Sequence, residues 1–234
     1  MRLSRSTLRT LSSVILHPRL FRLVRKVRAR RLSYLTDQAL LELAQVVKRA
    51  PEGDIVEAGV GLGGSAIVIA AVKRPEATLH LFDMFGMIPA PSLLDGPDAQ
   101  RRYQSIVGGA SAGIGEDQYY GYRPDLSQTV VANLSIFGYE TNASAIRLIP
   151  GLFSETLHVG RHIAVAHIDC DWYESVWVAL ERLSPWIVEG GTLVIDDYFT
   201  WSGARAAVDS FFDGRSGWRF ESRSRLHIVR VSGD

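Results

Sequence analysis

Four carboxylates stand in two short clusters, Asp169 and Asp171 in HIDCD and Asp196 and Asp197 in VIDDY. Each cluster directly follows an apolar run, residues 165–168 and 192–195, of strand length and strand composition. Between them residues 174–187 carry a helical pattern that Gly190-Gly191 ends. In a strand–helix–strand unit the two strands run parallel, so both acidic clusters reach the same sheet edge, where open α/β sheets take ligands. Acids gathered there repel one another unless a cation sits among them. Hard oxygen donors of this kind suit a divalent ion such as Mg2+.

A second constellation lies upstream. Residues 57–65 read EAGVGLGGS, between a strand predicted at 54–57 and an apolar helix at 66–72. Glycines let a ligand approach the backbone, and the helix N-terminus offers free N–H groups. Glu57 would repel a pyrophosphate but would pair with a cationic group such as an amino-acid ammonium. A tight turn without a ligand is the plain structural alternative. The next strand, 78–82, ends at Asp83, 24 residues after Gly59, where an acid can accept ribose hydroxyls. Together the turn and Asp83 predict a nucleoside-bearing ligand.

The remaining elements must hold these two constellations together. Thr36 is placed to cap a helix running to Lys48. Residues 86–124 lose periodicity under repeated Pro and Gly, with a helical stretch near 98–107 and tyrosines at 103, 119, 120 and 122. A stretch of this length predicts a substrate-covering lid, disorder being the competing reading. Asp125 is placed to cap a helix over 126–137, a strand follows at 145–149, and residues 203–212 form a further helix. Residues 218–222 and 226–231 are two strands joined by so short a link that they must pair antiparallel. The expected fold is α/β, a doubly wound and mostly parallel sheet closed by a C-terminal antiparallel hairpin. The expected division is a basic helical segment at 1–50 and a catalytic domain at 51–234.

With 234 residues and 47% hydrophobic content the chain can bury a sizeable core. A lone cysteine, Cys170, excludes a disulfide framework and any cysteine-built zinc site, as suits a cytoplasmic protein. No apolar run approaches the roughly 18 residues of a membrane span. The net charge of +1 conceals ten of the 26 Lys and Arg within the first 31 residues, with no acid among them. That segment could meet an anionic membrane surface or nucleic acid, but its helical alternation of apolar and basic residues better predicts docking on the acidic body or on a second copy in a homo-oligomer. No nucleic-acid partner is expected.

The motifs VEAGVGLGGSA, LFDMFGMIP, IPGLFSETL, HIDCDWYES and VEGGTLVIDDY, in this order, resemble the macrocin O-methyltransferase family across roughly residues 35–215. That family uses S-adenosylmethionine and a metal to methylate sugar hydroxyls of antibiotics. The resemblance implies a class I methyltransferase-like fold and a glycosylated small-molecule acceptor. It also implies that Glu57, Gly59, Gly63, Gly64 and Ser65 hold the methionine part of the cofactor and Asp83 its ribose. By the same resemblance Asp169, Asp196 and Asp197 ligate Mg2+, and Asp171 is the general base. Two positions depart from the family's pattern, Glu155 and His167, and neither is expected to touch the chemistry. Rival readings take Asp-x-Asp as part of a metal-dependent phosphatase or glycosyltransferase, or the chain as a degenerate, ligand-binding methyltransferase. An NAD oxidoreductase is opposed by Glu57 and by the antiparallel hairpin.

Overall fold

A computed structural model describes residues 18–141 and 143–232. The basic segment before residue 18 lies outside the described residues. One seven-stranded sheet organises the rest: β1 (Asp54–Ala58), β2 (Leu79–Asp83), β3 (Ile146–Pro150), β4 (Ile163–Ile168), β5 (Ile187–Ile195), β6 (Trp218–Ser222) and β7 (Leu226–Arg230). Their order is β3-β2-β1-β4-β5-β7-β6. The first five are mutually parallel, and β7 runs antiparallel to both β5 and β6. The strand order reverses between β1 and β4, so their carboxyl ends open a crevice there.

The central strands are buried on both faces, which explains their unbroken apolar runs. Ile55, Val165 and Val194 face one core, filled by Val24 and Val27 of α1 (Pro18–Ala29), Leu40 and Leu43 of α2 (Asp37–Arg49), Ile67 of α3 (Gly64–Ala70) and Val130 of α5 (Leu126–Ile136). Their sequence neighbours Val56, Ala166 and Leu193 face the opposite core, built on Leu180 of α7 (Tyr173–Leu183) and Val208 of α8 (Ser202–Phe212). Strand alternation thus assigns each apolar residue to a layer. The N-terminal helices share their core with the sheet.

Most elements fall where the sequence puts them. The Thr36 hydroxyl accepts the Ala39 N–H at 3.2 Å and starts α2 as expected. Asp125 occupies the N-cap position of α5 without a capping bond, its carboxylate lying 3.6 Å from Arg123 instead. The expected helix over 174–187 is shorter: Pro185 ends it in a 3-10 turn (Ser184–Trp186), and β5 begins at Ile187 rather than 192. The pairing with β4 jumps from Ile163↔Ile187 to Val165↔Thr192, so residues 188–191 bulge from the ladder. The stretch 86–124 contains α4 (Pro97–Val107) and a 3-10 turn (Tyr120–Tyr122), and is tied to the body by side-chain bonds.

His227 in β7 is almost wholly buried, and burial, with Arg223 nearby, lowers its pKa to about 4. The unfolded chain takes up the proton near 6.5, so folding stability attributable to His227 is complete above pH 6.5 and is lost as pH falls toward 4, at ~1.4 kcal/mol per pH unit. Thermal melts should therefore show the wild type losing Tm faster than His227→Leu between pH 6.5 and 5. Parallel pH curves for the two proteins would assign the titration elsewhere.

Candidate active site

The glycine turn is shaped by what it must pass. Gly59 has φ +91°, and a Cβ there would overlap the Asp169 carbonyl oxygen. Only glycine lets the end of β1 lie this close to the end of β4. Asp83 then clamps the turn: Oδ2 accepts the N–H groups of Val60 (2.6 Å) and Gly61 (3.2 Å), and Oδ1 accepts that of Phe85 (2.6 Å). Burial raises the Asp83 pKa, and these three bonds oppose the rise. A carboxylate has about four acceptor positions, so these bonds leave capacity for a ligand hydroxyl. Gly64 serves packing, since a Cβ there would overlap the Leu32 carbonyl.

A cavity of about 590 Å³ opens over this edge. Gly59, Gly61, Ser65 and Asp83 line it on one side, and Asp169, Asp171, Asp196 and Asp197 on the other. Gly63 and Gly64 stand behind that lining rather than in it. Glu57, expected to meet a ligand ammonium, is not in that lining either. It is fully buried, paired in register with His167, and 2.9 Å separates its Oε1 from His167 Nδ1. The strand alternation that sends Ile55 and Val165 into one core sends Glu57 and His167 to the same face, beneath the site.

His167, expected to stand apart from the chemistry, reaches the acids from below. Its Nε2 lies 3.8 Å from Asp196 Oδ1. Burial alone would lower its pKa, but the Asp196 and Glu57 carboxylates on either side outweigh this and raise it to about 10. Asp196 is held a second time by Arg225 Nε at 2.5 Å, from the turn between β6 and β7. Burial opposes ionisation of Asp196, yet these two cations keep its pKa low.

At Asp169 and Asp197 the relief is outweighed. Burial first, and then neighbouring carboxylates, raise both well above the usual carboxylate range, while His167 lowers the first and the Asp171 N–H the second by less. Asp171 is raised by burial too, while bonds from Asp197 and Trp201 pull it back. Two sets of ligand atoms lie within 4.8 Å of one another: His167, Asp169 and Asp196, and Asp169, Asp171 and Asp197. The trio expected from the resemblance is thus split between them, Asp169 being common to both. Strand alternation is not what brings Asp171 there. β4 ends at Ile168, and Asp171 takes a left-handed conformation, φ 62°, with its N–H donating to Asp197 Oδ2 at 3.2 Å.

This donor set fits a divalent cation. Among the described residues neither oxygen of Asp169 has a protein donor, and Asp196 Oδ2 and Asp197 Oδ1 are likewise free of one. Sequence reasoning missed Arg225, which a hairpin hides 29 residues away, and Trp201, whose Nε1 donates to Asp171 Oδ1 at 3.0 Å.

Sheet order, glycine turn and strand-end acids together define a class I methyltransferase fold. The solved structure of the O-methyltransferase NovP shares it, with a TM-score of 0.69 at 22% identity over 86% of this chain and 83% of that one. CalS11, a calicheamicin methyltransferase, follows at TM-score 0.61 and 17% identity, over 98% of this chain and 94% of that one. The chain belongs to the macrocin-O-methyltransferase (TylF) family, whose family model matches residues 25–216. It is 28% identical over 174 residues to the demethyldecarbamoylnovobiocin O-methyltransferase of Streptomyces niveus, covering 68% of this chain and 58% of that protein. A tetracenomycin-type rhamnosyl 4'-O-methyltransferase of Streptomyces olivaceus is 32% identical over 154 residues, covering 62% of this chain and 53% of that protein. The chain therefore spans little more than half the length of the curated relatives it matches. Family membership sets aside the phosphatase and glycosyltransferase readings of Asp-x-Asp. No helix among the described residues is long and apolar enough to cross a membrane.

Proposed function

We propose that this protein is an O-methyltransferase that moves the methyl group of S-adenosylmethionine to a sugar hydroxyl of a glycosylated small molecule, with Mg2+ bound at the acidic edge. The observation that carries this reading is the shared cavity, in which the glycine turn with Asp83 faces the four acids. The acceptor class rests on relatives named for novobiocin, rhamnosyl-tetracenomycin and mycinamicin substrates.

Gly59, Gly61 and Ser65 would meet the methionine part of the donor and Asp83 its ribose. Gly63 and Gly64 support that turn from behind, and Glu57 supports the site through His167. Asp169, Asp196 and Asp197 would hold the metal. Each of the other two has a ligand atom within 4.8 Å of one on Asp169. Bound there, Mg2+ would supply Lewis acidity toward a sugar hydroxyl. Asp171 takes the proton of that hydroxyl as its oxygen forms the new bond to the methyl carbon and the sulfur–carbon bond of the donor breaks. Trp201 donates to Oδ1, so the proton would go to Oδ2, the oxygen that the indole leaves open. Trp172 closes the far wall, its indole N–H donating to the Pro89 carbonyl at 2.9 Å and so fixing the lid loop.

Calorimetry and turnover test this together. S-adenosylmethionine should give a binding heat where NAD gives none, and EDTA should abolish methyl transfer to a panel of glycosylated acceptors until Mg2+ is restored. Activity that persists in EDTA would remove the metal from the scheme. Tight NAD binding with no response to the methyl donor would overturn the reading, and donor binding without any turnover would leave a degenerate, ligand-binding protein.

A further inference from the structure

We infer that Trp201 is a positioning residue for methyl transfer: its indole N–H fixes the carboxylate of Asp171 in the one orientation from which its free oxygen can take the acceptor's proton. The inference rests on Asp171 being the base.

Asp171 sits on an unfavourable piece of backbone. Its φ of 62° is a left-handed conformation that an aspartate adopts only with support. Three bonds provide it. The Asp171 N–H donates to Asp197 Oδ2 at 3.2 Å, the Trp172 N–H donates to the Cys170 carbonyl at 2.7 Å, and Trp201 Nε1 donates to Asp171 Oδ1 at 3.0 Å. Only the last is an N–H donated to the carboxylate; the others hold the main chain, so the Asp171 carboxylate is set between the Trp201 indole and the neighbouring Asp197 side chain.

The donor is well chosen for that task. An indole N–H gives one hydrogen bond, accepts none and does not ionise at working pH. It therefore cannot compete for the proton that Asp171 receives. It also distinguishes the two oxygens, since the indole engages Oδ1 and leaves Oδ2.

Trp201 is itself held from three directions. The N–H groups of Thr200 and Trp201 both donate to the Asp197 carbonyl, at 2.9 and 3.0 Å, so the indole is carried on the same turn as Asp197. Its ring meets that of Trp172 edge to face, 5.6 Å between centroids. The next residue, Ser202, donates its N–H and its hydroxyl to Asp98 of α4, at 2.9 and 2.6 Å. Asp98 thereby caps α8 from α4, and the segment bearing Trp201 is pinned to the 86–124 stretch. The indole thus joins the turn after β5 to the turn after β4.

Trp201→Phe removes this N–H while keeping an aromatic ring against Trp172. The expected result is a fall in kcat of about 10-fold, with KM for donor and acceptor, Mg2+ affinity and Tm nearly unchanged. In an Asp171→Asn background the same substitution should cost less than 2-fold, because the group it positions no longer takes a proton. A readout without turnover accompanies this. Of five tryptophan indole N–H signals in an NMR spectrum, the one that Trp201→Phe deletes should shift in Asp171→Asn.

Equal losses from Trp201→Phe in both backgrounds, or an unchanged kcat, would overturn the inference while leaving the base in place. An Asp171→Asn enzyme of near wild-type kcat would overturn the base assignment and this inference with it.

Discussion

Asp171→Asn is expected to lower kcat by about 100-fold or more while leaving Mg2+ affinity and the KM for donor and acceptor within a few-fold of wild type. The substitution is close to a pure test of proton acceptance. Asparagine has nearly the shape of aspartate, tolerates the left-handed backbone that φ 62° imposes, and can still accept the Trp201 N–H through its amide oxygen. It cannot take up a proton. A sugar hydroxyl is a weak nucleophile at neutral pH, so the loss should appear in the chemical step. Single-turnover rates with saturating donor and Mg2+ would isolate that step. If metal affinity falls as far as kcat, Asp171 is a ligand, an outcome its place beside Asp169 and Asp197 allows.

The second large effect is expected at Asp169, and it has opposite signs with and without metal. Asp169→Asn should weaken Mg2+ binding by about 100-fold or more, because this carboxylate belongs to both clusters of ligand atoms. In the metal-free protein it should raise Tm by several degrees. Burial and the neighbouring Asp196 disfavour a charge at Asp169 more than His167 favours it, and among the described residues no hydrogen-bond donor reaches its oxygens. A buried carboxylate so placed opposes folding, and a neutral amide of equal size relieves that repulsion. Wild type should recover the difference when Mg2+ is added, since a ligand that binds only the folded state stabilises it. Thermal shift assays at several Mg2+ concentrations would show the two curves crossing. A lower metal-free Tm for Asp169→Asn would mean that the carboxylate makes a favourable contact of its own.

Much of this protein is determined by its sequence alone, for local reasons. Apolar runs of strand length, glycine turns and helical periodicity arise from contacts between near neighbours, so the parallel βα order, the closing hairpin and the family motifs could be read directly. The strand-end position of Asp83 and of all four acids was legible for the same reason, because parallel crossovers have one hand and bring those ends to one edge. What the tertiary structure decided is which atoms meet. Glu57 belongs by sequence to the glycine turn, but the register of β1 on β4 sets it against His167 and buries both beneath the site. Asp196 and Asp197 are adjacent in sequence, yet one is held by Arg225 and His167 while the other accepts the Asp171 N–H. Consecutive residues at a strand end point in different directions, and their partners come from a hairpin 29 residues later or a turn 26 residues earlier. Periodicity carries no information about such distant pairings, which strand register and the sharp turn at Asp171 alone settle.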